Sequence, residues 1–527
     1  MIRSYPPLVG GVPDAADHWV YTARTSALMQ DPLTVGRMVL QRERGQADGE
    51  DSADPRLAGR VALARPDQLA RALRAARTAQ PAWARVPLDQ RLSLVSAFHH
   101  RLARRGEEFV DLCVAEGHPL PVARWELSGM LEGSHQDSIA FARLTAEHET
   151  RVGRRTVRLH YQPDGVVALS PPQNAPASAG SLGVWALAGG NALVVGAPRS
   201  SPLALAFLYN EIVSPALAET GAPPGVLSVL CGDTKDTLRS WLESPDVDTV
   251  FYFGSSKRGL ALAADCLARG KKPVLELSGN DGALIWRDAD PAQAARALAE
   301  CFHASGQICM VPRYAIVHPD IADRVIAAVV EQAEALRPGL PEDPQVLLSP
   351  VFKAPKFRQA LSEATAVGAR VVTGGAQWDH TGQPATDGMF IQPTVIRIDG
   401  LRTASTIPSV YEETFFPLLK LVVPDPAPDT ELLGEAMAFL DANPYGLRNS
   451  LWAADPDVIA RFSGELRNGG ILKINDTHSG NIPVMPTHGG TGHSGGPFGG
   501  AALPLQRTSR LQAVCDATHT TAQDHVL

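Results

Sequence analysis

The thiol of Cys309 is the first group in this chain whose type and position could support chemistry. It lies in Ser305-Gly306-Gln307-Ile308-Cys309, after a helical pattern and a glycine turn and before an apolar strand pattern. A cysteine that is partly ionised and accessible can act as a nucleophile. Because many unpaired cysteines are buried structural thiols, the position of Cys309 alone leaves both interpretations open.

Two other side chains, Glu276 and Asn174, could assist such a nucleophile. Glu276 lies in the apolar run Pro273-Val274-Leu275-Glu276-Leu277, where an isolated carboxylate is costly to bury. It is either a general base with a raised pKa or an acid in solvent or in an ion pair. Asn174, in Pro172-Gln173-Asn174-Ala175-Pro176, is either a turn residue or an amide donor to an oxyanion.

A possible phosphate site follows a predicted strand at Phe253-Gly254-Ser255, where a helix is predicted to begin. The N-terminus of a helix can hold a phosphate group, although serine is also an ordinary N-cap residue. No Gly-x-Gly-x-x-Gly follows a predicted strand, so the common dinucleotide fingerprint is absent.

The elements that must position these residues follow from the periodicity of the sequence. Short apolar runs alternate with helical patterns from residue 166 onward, which predicts buried parallel strands in an α/β fold. Strands are predicted at 166–169, 192–195, 226–230, 249–253, 273–277, 283–286 and 314–317. Helices are predicted at 203–220, 256–269, 291–303 and 321–336.

The N-terminal third has a different character. Residues 69–105 and 124–148 have helical periodicity, and Pro81 and Pro87 are expected to break the first of these stretches. The region 147–165 predicts a β-hairpin, and 511–515 predicts a last short strand. Residues 1–60 have weak periodicity and are expected to wrap a surface.

Composition limits the class of protein. Of the 527 residues, 44% are hydrophobic and 20% charged, which is ordinary for a soluble globular protein. The formal net charge is −8 and no basic block is present, so no nucleic-acid partner is expected. Prolines and glycines interrupt the uncharged stretch 165–198, so no membrane partner is expected.

Cysteine and histidine usage adds an expected location and metal content. The six cysteines form no Cys-x-x-Cys pair and the N-terminus lacks a continuous apolar stretch, which together favour a reduced, cytoplasmic location. His478, His488 and His493 fit no standard metal-ligand spacing, so no metal site is expected.

Taken in order, these segments resemble the aldehyde dehydrogenase superfamily over roughly residues 60–500. Val274-Leu275-Glu276-Leu277-Ser278-Gly279 is similar to the family's glutamate motif. Gly306-Gln307-Ile308-Cys309 is similar to its cysteine motif, with the 33-residue separation between Glu276 and Cys309 that is typical of the family. Further matches lie at Asn174 and at residues 253–255, 413–417, 443–447, 489–490 and 494–495.

The resemblance implies oxidation of an aldehyde to a carboxylic acid with NAD or NADP. Cys309 would form a thiohemiacetal and then a thioester, while the Asn174 amide and the Cys309 N–H hold the oxyanion. Glu276 would activate the hydrolytic water, and its presence favours hydrolysis over acyl transfer to coenzyme A.

The resemblance also implies where the cofactor binds. The predicted contacts are Ser170, Pro171, Ala197, Arg199, Ser200, Gly254, Ser255, Leu277, Glu413 and Phe415. In Ala197-Pro198-Arg199-Ser200 the family's usual lysine and glutamate are missing. Loss of the acid and the presence of Arg199 slightly favour NADP. Phe416 replaces the glycine of its motif, and its bulk is expected to shift the nicotinamide.

The predicted substrate pocket is wider and more polar than usual in the family. Ala175 and Ala179 stand at positions that are commonly bulky, and His488 at one that is often phenylalanine. The expected lining is Gln173, Ala175, Ala179, Ile308, Met310 and His488, which favours a bulky or functionalised aldehyde. Two alternatives remain: a non-catalytic structural protein on the same fold, and a cofactor-independent cysteine esterase or thioesterase.

The expected architecture is two Rossmann-like α/β lobes plus a small β oligomerisation extension. Residues 1–146 and 166–276 would form the cofactor-binding domain, with 1–60 as its N-terminal wrap. Residues 277–480 would form the catalytic domain, and 147–165 with 500–527 the extension. The extension resembles the family's oligomerisation elements, so a homodimer or homotetramer is expected.

Overall fold

The computed structural model describes residues 2–46 and 54–518 and contains two seven-stranded sheets. In the first, five neighbouring strands are parallel, and the two N-terminal strands at one edge are antiparallel. The parallel strands are buried along most of their length, as expected for near-continuous apolar runs covered on both faces. Their spatial order is Lys272–Glu276, Thr249–Phe253, Val166–Ser170, Ala192–Pro198, Leu227–Gly232, Leu8–Val9 and Val12–Pro13.

The second sheet is parallel except for one edge strand, Arg370–Thr373. The chain enters it only four residues after leaving the first sheet, because Glu276 ends one strand and Asp281 begins the next. The connection between the two sheets therefore runs directly past the predicted general base. The spatial order is Arg370–Thr373, Thr394–Asp399, Leu418–Val423, Pro312–Val317, Asp281–Ile285, Arg448–Trp452 and Ile471–Ile474.

Helices connect the strands of both sheets. The α-helices of the first half are Thr25–Gln30, Pro32–Glu43, Pro66–Ala84, Leu88–Ala115, Leu120–Gly133, Gln136–Ala146, Pro176–Gly180, Gly183–Ala188, Leu203–Phe207, Ser214–Glu219, Thr234–Glu243 and Ser256–Ala268. Those of the second half are Pro291–Ala299, Ala322–Glu334, Ala354–Ala366, Leu401–Ala404, Pro408–Tyr411, Asp429–Asp441, Pro456–Glu465 and Pro504–Arg507. Short 3₁₀ helices lie at Glu300–Gly306 and Pro319–Ile321, and a π-helical turn at Leu208–Val213.

Two helix predictions were wrong in detail. Pro81 lies inside the helix Pro66–Ala84, whereas Pro87 does separate that helix from Leu88–Ala115. A proline three residues before a helix end removes one hydrogen bond close to the terminus, and the buried face of the helix continues past it to Trp83. The segment predicted as one helix at 124–148 is two helices, which break at Ser134 and His135.

A third, antiparallel sheet joins the hairpin predicted at 147–165 to the C-terminal strand. Its strands are Glu147–Val152, Arg155–Pro163 and Ser509–Asp516, with Arg155–Pro163 in the centre. Residues 519–527, part of the predicted extension, lie outside the described residues.

Residues 2–46 contain more regular structure than their weak periodicity predicts. They contribute two edge strands to the first sheet, and the strands Arg3–Tyr5 and Trp19–Ala23 flank Leu57–Ala62 in a separate small sheet. Residues 47–53 of the predicted wrap lie outside the described residues. Smaller two-stranded pairs are Gln377–Trp378 with Phe390–Ile391 and Tyr445–Gly446 with Thr491–Gly492.

Within the described part of the chain, none of the helices combines the length and the apolar character needed to cross a membrane.

Candidate active site

The loop that carries Cys309 has an unusual backbone. Ala304, Ser305 and Gly306 all have positive φ angles, of 49°, 53° and 71°, a conformation that costs free energy for residues with a side chain. Ser305 compensates by donating a hydrogen bond to the Ser349 carbonyl (2.6 Å) and accepting one from the Ser349 N–H (2.9 Å). The loop is therefore tied to a second segment of the catalytic half.

Glycine is required where this loop meets the connection between the sheets. A Cβ atom at Gly279 would lie 1.9 Å from the Cys309 carbonyl oxygen, far closer than van der Waals contact allows. On the other side, Arg313 donates to the Ile308 carbonyl at 2.6 Å. Backbone contacts from two directions therefore fix the position of Cys309.

The environment of Cys309 keeps its sulfur in the thiol form. Burial raises the pKa of the thiol, and the nearby carboxyl groups of Glu276 and Glu413 raise it further, while Arg448 lowers it. A nucleophilic step at this sulfur therefore needs a base to take the proton, or a bound group that changes these surroundings.

Asn174 lies directly beside the cysteine loop. It follows the strand Val166–Ser170, and its Nδ2 donates to the Gln307 carbonyl at 2.9 Å, two residues before Cys309. A primary amide has two N–H donors. Since one binds Gln307, the other is available to a group that forms at Cys309.

Glu276 ends its strand in a buried position, with 2% of its surface exposed. Its Oε2 accepts hydrogen bonds from the N–H groups of Gly489 (3.2 Å) and Ala501 (3.1 Å), whereas its buried Oε1 has no hydrogen-bond partner in the described chain. Burial raises the pKa of this carboxyl group to about 8, and the two backbone hydrogen bonds lower it only in part. The free oxygen and the raised pKa are what a general base near neutral pH requires.

One cavity of about 870 Å³ brings most of the predicted residues together. It is lined by the three predicted catalytic residues and by all six predicted pocket residues, Gln173, Ala175, Ala179, Ile308, Met310 and His488. It is also lined by seven of the ten predicted cofactor residues: Ser170, Pro171, Gly254, Ser255, Leu277, Glu413 and Phe415.

The residues at one end of the cavity fit a dinucleotide. Ser255 precedes the 13-residue helix Ser256–Ala268, and its side chain makes no capping hydrogen bond, so the first turn offers its N–H groups to an anion. A Cβ atom at Gly254 would lie 2.2 Å from the Tyr252 hydroxyl oxygen, so a larger residue here would require the tyrosine side chain to move. The partly buried Glu413 accepts a hydrogen bond from the Gly279 N–H at 3.0 Å, and desolvation of its carboxyl group raises the pKa.

Three predicted cofactor contacts lie outside this cavity lining. Ala197 is buried in its strand, whereas Arg199 and Ser200 are exposed beyond the strand end. The guanidinium Nη2 of Arg199 lies 3.8 Å from Oε2 of Glu43, at the end of an N-terminal helix. Sequence reasoning missed Glu43, because nothing local to residue 43 indicates that it meets the end of a strand 155 residues later.

The expected displacement of the nicotinamide by Phe416 is not supported by the position of its side chain. Phe416 is buried in the second lobe, with its ring edge-on to Phe357 at 5.6 Å, and does not line the cavity. The preceding residue, Phe415, is the one that faces the cavity. The additional ring at position 416 therefore fills the core.

His488 lines the cavity as an uncharged ring. Burial lowers the pKa of its imidazole to about 3, and its Nδ1 lies 2.8 Å from the Thr487 hydroxyl. Its ring is edge-on to Phe253 at 5.9 Å. It therefore adds a polar but neutral group to the pocket.

Sequence reasoning also missed a buried polar group at the other end of the cavity, formed by His118 and Glu126. His118 Nδ1 lies 2.6 Å from Glu126 Oε1, and the imidazole also donates to the Asn174 carbonyl. A signal for Glu126 was present: the buried residues Val122, Ala123, Glu126 and Met130 lie on one helix face, so the acid occupies an apolar stripe.

Cys113, His118 and Glu126 are close enough to be considered as metal ligands. One ligand atom from each lies within 4.8 Å of the others. However, His118 Nδ1 is hydrogen-bonded to Glu126 Oε1, and the other oxygen of Glu126 accepts a hydrogen bond from the Ser178 hydroxyl. The arrangement fits a hydrogen-bonded pair.

Comparison with known proteins agrees with this geometry. The model of the aldehyde dehydrogenase family matches residues 41–509. The alpha-ketoglutarate semialdehyde dehydrogenase of Haloferax volcanii is 30% identical over 424 residues, which cover 78% of this chain and 83% of that protein. The benzaldehyde dehydrogenase [NAD(+)] of Pseudomonas putida is 28% identical over 489 residues, which cover 90% and 94%.

A solved structure shows the same fold. The NAD-dependent aldehyde dehydrogenase from Sinorhizobium meliloti superposes with a TM-score of 0.80 at 22% identity, over 98% of this chain and 96% of that one. The two lobes predicted from the alternation of strands and helices are therefore confirmed. The chain belongs to the aldehyde dehydrogenase family and is an oxidoreductase that oxidises an aldehyde with NAD or NADP.

Proposed function

We propose that Cys309, Asn174 and Glu276 together convert a bulky aldehyde to its carboxylic acid. The observation that carries this assignment is the hydrogen bond from Asn174 to the Gln307 carbonyl (2.9 Å), which holds an amide donor against the cysteine loop. Glu276, whose Oε1 has no hydrogen-bond partner in the described chain, lines the same cavity. Nucleophile, oxyanion donor and base therefore line one cavity.

The first step is addition of the Cys309 sulfur to the aldehyde carbon. The Cys309 thiol passes its proton to solvent water, the thiolate sulfur forms a C–S bond with the aldehyde carbon, and the carbonyl π electron pair moves to oxygen. That oxyanion accepts hydrogen bonds from the second N–H of Asn174 and from the Cys309 N–H. One such donor typically contributes about 3–4 kcal/mol to the stability of the transition state.

NAD or NADP, when bound, supplies the hydride acceptor that the oxidation requires. Gly254 and Ser255 would hold its phosphates, Glu413 would accept from its nicotinamide ribose, and Phe415 would lie beside the ring. The NADP preference suggested by Arg199 remains a proposal, because Glu43 lies beside that guanidinium.

Release of the product requires a base. Glu276 takes a proton from a water molecule through its free Oε1, the resulting hydroxide adds to the thioester carbonyl, and the C–S bond breaks to release the acid and the thiolate. The buried position of Glu276 suits this role because it raises the pKa of the carboxyl group to about 8.

The size and lining of the cavity favour a bulky or functionalised aldehyde. The small side chains of Ala175 and Ala179 widen it, while Gln173 and His488 add polar atoms. The two relatives act, by name, on an aromatic aldehyde and on a carboxylated semialdehyde, so the family resemblance does not choose between these classes.

The proposal is tested by absorbance at 340 nm with small, aromatic and bulky aldehydes, each with NAD and with NADP. Wild type is compared with Cys309→Ser and with Cys515→Ser, a control at an exposed thiol on the C-terminal strand. We expect reduction by wild type and Cys515→Ser, and its loss in Cys309→Ser. Reduction that persists in Cys309→Ser contradicts the assignment, and ester hydrolysis without any reduction would support the esterase alternative.

We further propose that the small antiparallel sheet forms a subunit interface. All residues of Glu147–Val152 are exposed, as are those of Ser509–Asp516 after Ser509, and Val152, Leu511 and Val514 present apolar side chains to solvent. Exposed apolar patches of this kind are typical of association surfaces. Light scattering should give a multiple of the 56.1 kDa chain mass, whereas a particle of single-chain mass contradicts the proposal.

A cytoplasmic location is the last part of the proposal. All six cysteines are free, and Cys515 is exposed on the C-terminal strand. Free thiols persist in reducing compartments. Thiol titration of the protein isolated from the cytoplasmic fraction should find the exposed thiol reduced.

A further inference from the structure

We infer that Glu126 and His118 select the substrate: they favour neutral aromatic aldehydes with a hydrogen-bond-donating substituent and exclude aldehydes that carry a carboxylate. This inference rests on the proposed function and deepens it, because it names the substrate class. It starts from the position of the pair in the cavity.

Glu126 lies on the acyl side of the oxyanion donor. It is 5% exposed and lines the cavity, and its Oε2 accepts a hydrogen bond from the Ser178 hydroxyl at 2.7 Å. Ser178 belongs to the short helix Pro176–Gly180, which begins two residues after Asn174. The dinucleotide end, at Gly254 and Glu413, belongs to other strands and loops, so the substrate's substituents must extend towards Glu126.

The two members of the pair satisfy each other's charge. His118 Nδ1 lies 2.6 Å from Glu126 Oε1, and the imidazole also has a hydrogen bond to the backbone of Asn174. Burial lowers the pKa of the imidazole, but Glu126, Glu116 and these hydrogen bonds outweigh it, so the pKa of His118 is raised and its charged form is favoured beside Glu126. A substrate carboxylate would therefore lie beside the Glu126 carboxylate, while the positive charge of His118 is already paired with Glu126.

No other cation is available at this end. Among the described residues that line the cavity, the lysine and arginine side chains are Lys353 and Arg258. Lys353 Nζ lies 5.0 Å from the centre of the Phe415 ring, and Arg258 lies in the first turn of the helix after Ser255. Both are at the dinucleotide end, where they suit its phosphates and nicotinamide.

The cavity lining also includes four aromatic side chains from four different helices that surround this end: Phe98, Trp125, Phe141 and Trp185. Aromatic walls stack well with a ring, and Glu126 offers an acceptor to a hydroxyl group on it. An unpaired anion in the same space would be desolvated next to a like charge.

The test compares three ring aldehydes of similar size: benzaldehyde, 4-hydroxybenzaldehyde and 4-carboxybenzaldehyde. The values of kcat/KM are measured for wild type, Glu126→Gln and Glu132→Gln, a matched control on the same helix that does not line the cavity. We expect wild type to prefer the hydroxylated over the carboxylated aldehyde by at least about tenfold. Glu126→Gln should reduce this ratio about tenfold, and Glu132→Gln should retain it.

The ratio between substrates separates recognition from a general structural effect, because misfolding lowers all three values together. Ser178→Ala supplies a second, milder variant, and it should shift the ratio in the same direction by a smaller factor. Wild type that prefers 4-carboxybenzaldehyde, or a ratio that neither variant changes, overturns the inference.

Turnover of benzaldehyde tests the reaction itself, separately from the substrate preference. If wild type oxidises benzaldehyde and Cys309→Ser does not, the proposed function is supported whatever the ratio of kcat/KM between the hydroxylated and carboxylated aldehydes. The substrate preference can therefore be wrong while the proposed function holds. Absence of turnover with every aldehyde and both cofactors would overturn both.

Discussion

The catalytic end of the cavity and the region around Arg199, which we propose as the adenosine end of the cofactor site, are built in different ways. At the catalytic end, Glu276 is buried and backbone contacts hold the Cys309 loop. At the adenosine end, Arg199 has 59% of its side chain exposed and faces Glu43 across 3.8 Å. Atoms that react must be placed to a fraction of an ångström, whereas an exposed charge that recognises a ribose or phosphate can be replaced without disturbing the fold.

This contrast predicts how strongly each end responds to substitution. Burial and steric contact at the catalytic end leave few alternative arrangements, so single atoms there should have large effects. Exposed ion pairs typically contribute 0 to about 1 kcal/mol and are screened by salt.

The largest effect is expected for Glu276→Gln. Loss of a general base typically lowers turnover about 10²–10⁴-fold. Because the pKa of Glu276 is raised to about 8, the wild-type carboxyl group is protonated below pH 8 and gains its basic form as pH rises through that value. Steady-state kcat should therefore rise between pH 7 and 9 and then level off.

Pre-steady-state measurements sharpen this prediction. Glu276→Gln should retain a burst of reduced cofactor, because acylation of Cys309 comes before hydrolysis, and its slow phase should lose the pH dependence near 8. A variant that keeps the wild-type pH profile would show that another group is the base.

The catalytic end could be predicted from the sequence largely because buried parallel strands are continuous apolar runs. The strand at Thr249–Phe253 has the predicted bounds, and Glu276 ends its strand one residue earlier than predicted. Residues such as Asn174 and Gly254 follow these strands directly, so locating the strands also located them.

What the sequence did not reveal depends on distant contacts. Glu43 meets Arg199, and His118 meets both Glu126 and Asn174, across separations that local periodicity does not encode. The predicted helix at 291–303 ends as α-helix at Ala299 and continues as the 3₁₀ segment Glu300–Gly306, in which the positive φ angles of Ala304 and Ser305 are accompanied by hydrogen bonds between Ser305 and Ser349. Similarly, the helix continues past Pro81 because its buried face extends to Trp83.

An intermediate effect is expected for Gly279→Ala. The added Cβ atom would lie 1.9 Å from the Cys309 carbonyl oxygen, so the cysteine loop must shift, and a displacement of about 1 Å near the reacting atoms costs on the order of 100-fold in rate. The rate of acylation by a saturating aldehyde should fall by this factor, as measured by the burst of reduced cofactor.

Gly434→Ala is the matched control for this substitution. Gly434 lies in the helix Asp429–Asp441 with no atom within 4 Å of an added Cβ, so alanine should leave activity intact and stabilise the helix by about 0.5–1 kcal/mol. Equal activities of Gly279→Ala and Gly434→Ala would show that the Cys309 loop tolerates movement. The catalytic end would then not be more strictly positioned than the region around Arg199.

The smallest effect is expected at the adenosine end, for Arg199→Ala and Glu43→Gln. If Arg199 recognises a 2′-phosphate, its loss should raise KM for NADP more than KM for NAD. Glu43→Gln removes the acid that faces this guanidinium and should lower KM for NADP relative to NAD. Both changes should be about two- to tenfold, since exposed charges interact weakly in water.

Ionic strength distinguishes this charge effect from a change in fold. Because the guanidinium of Arg199 is exposed, both shifts in the KM ratio should shrink as salt rises from about 0.05 to 0.5 M, while the values of kcat stay close to wild type. If Arg199→Ala changes the KM values for NAD and NADP equally, the guanidinium does not recognise the 2′-phosphate of NADP. In that case Glu43, whose Oε2 lies 3.8 Å from the Arg199 guanidinium, becomes the better candidate for a contact to the ribose of NAD.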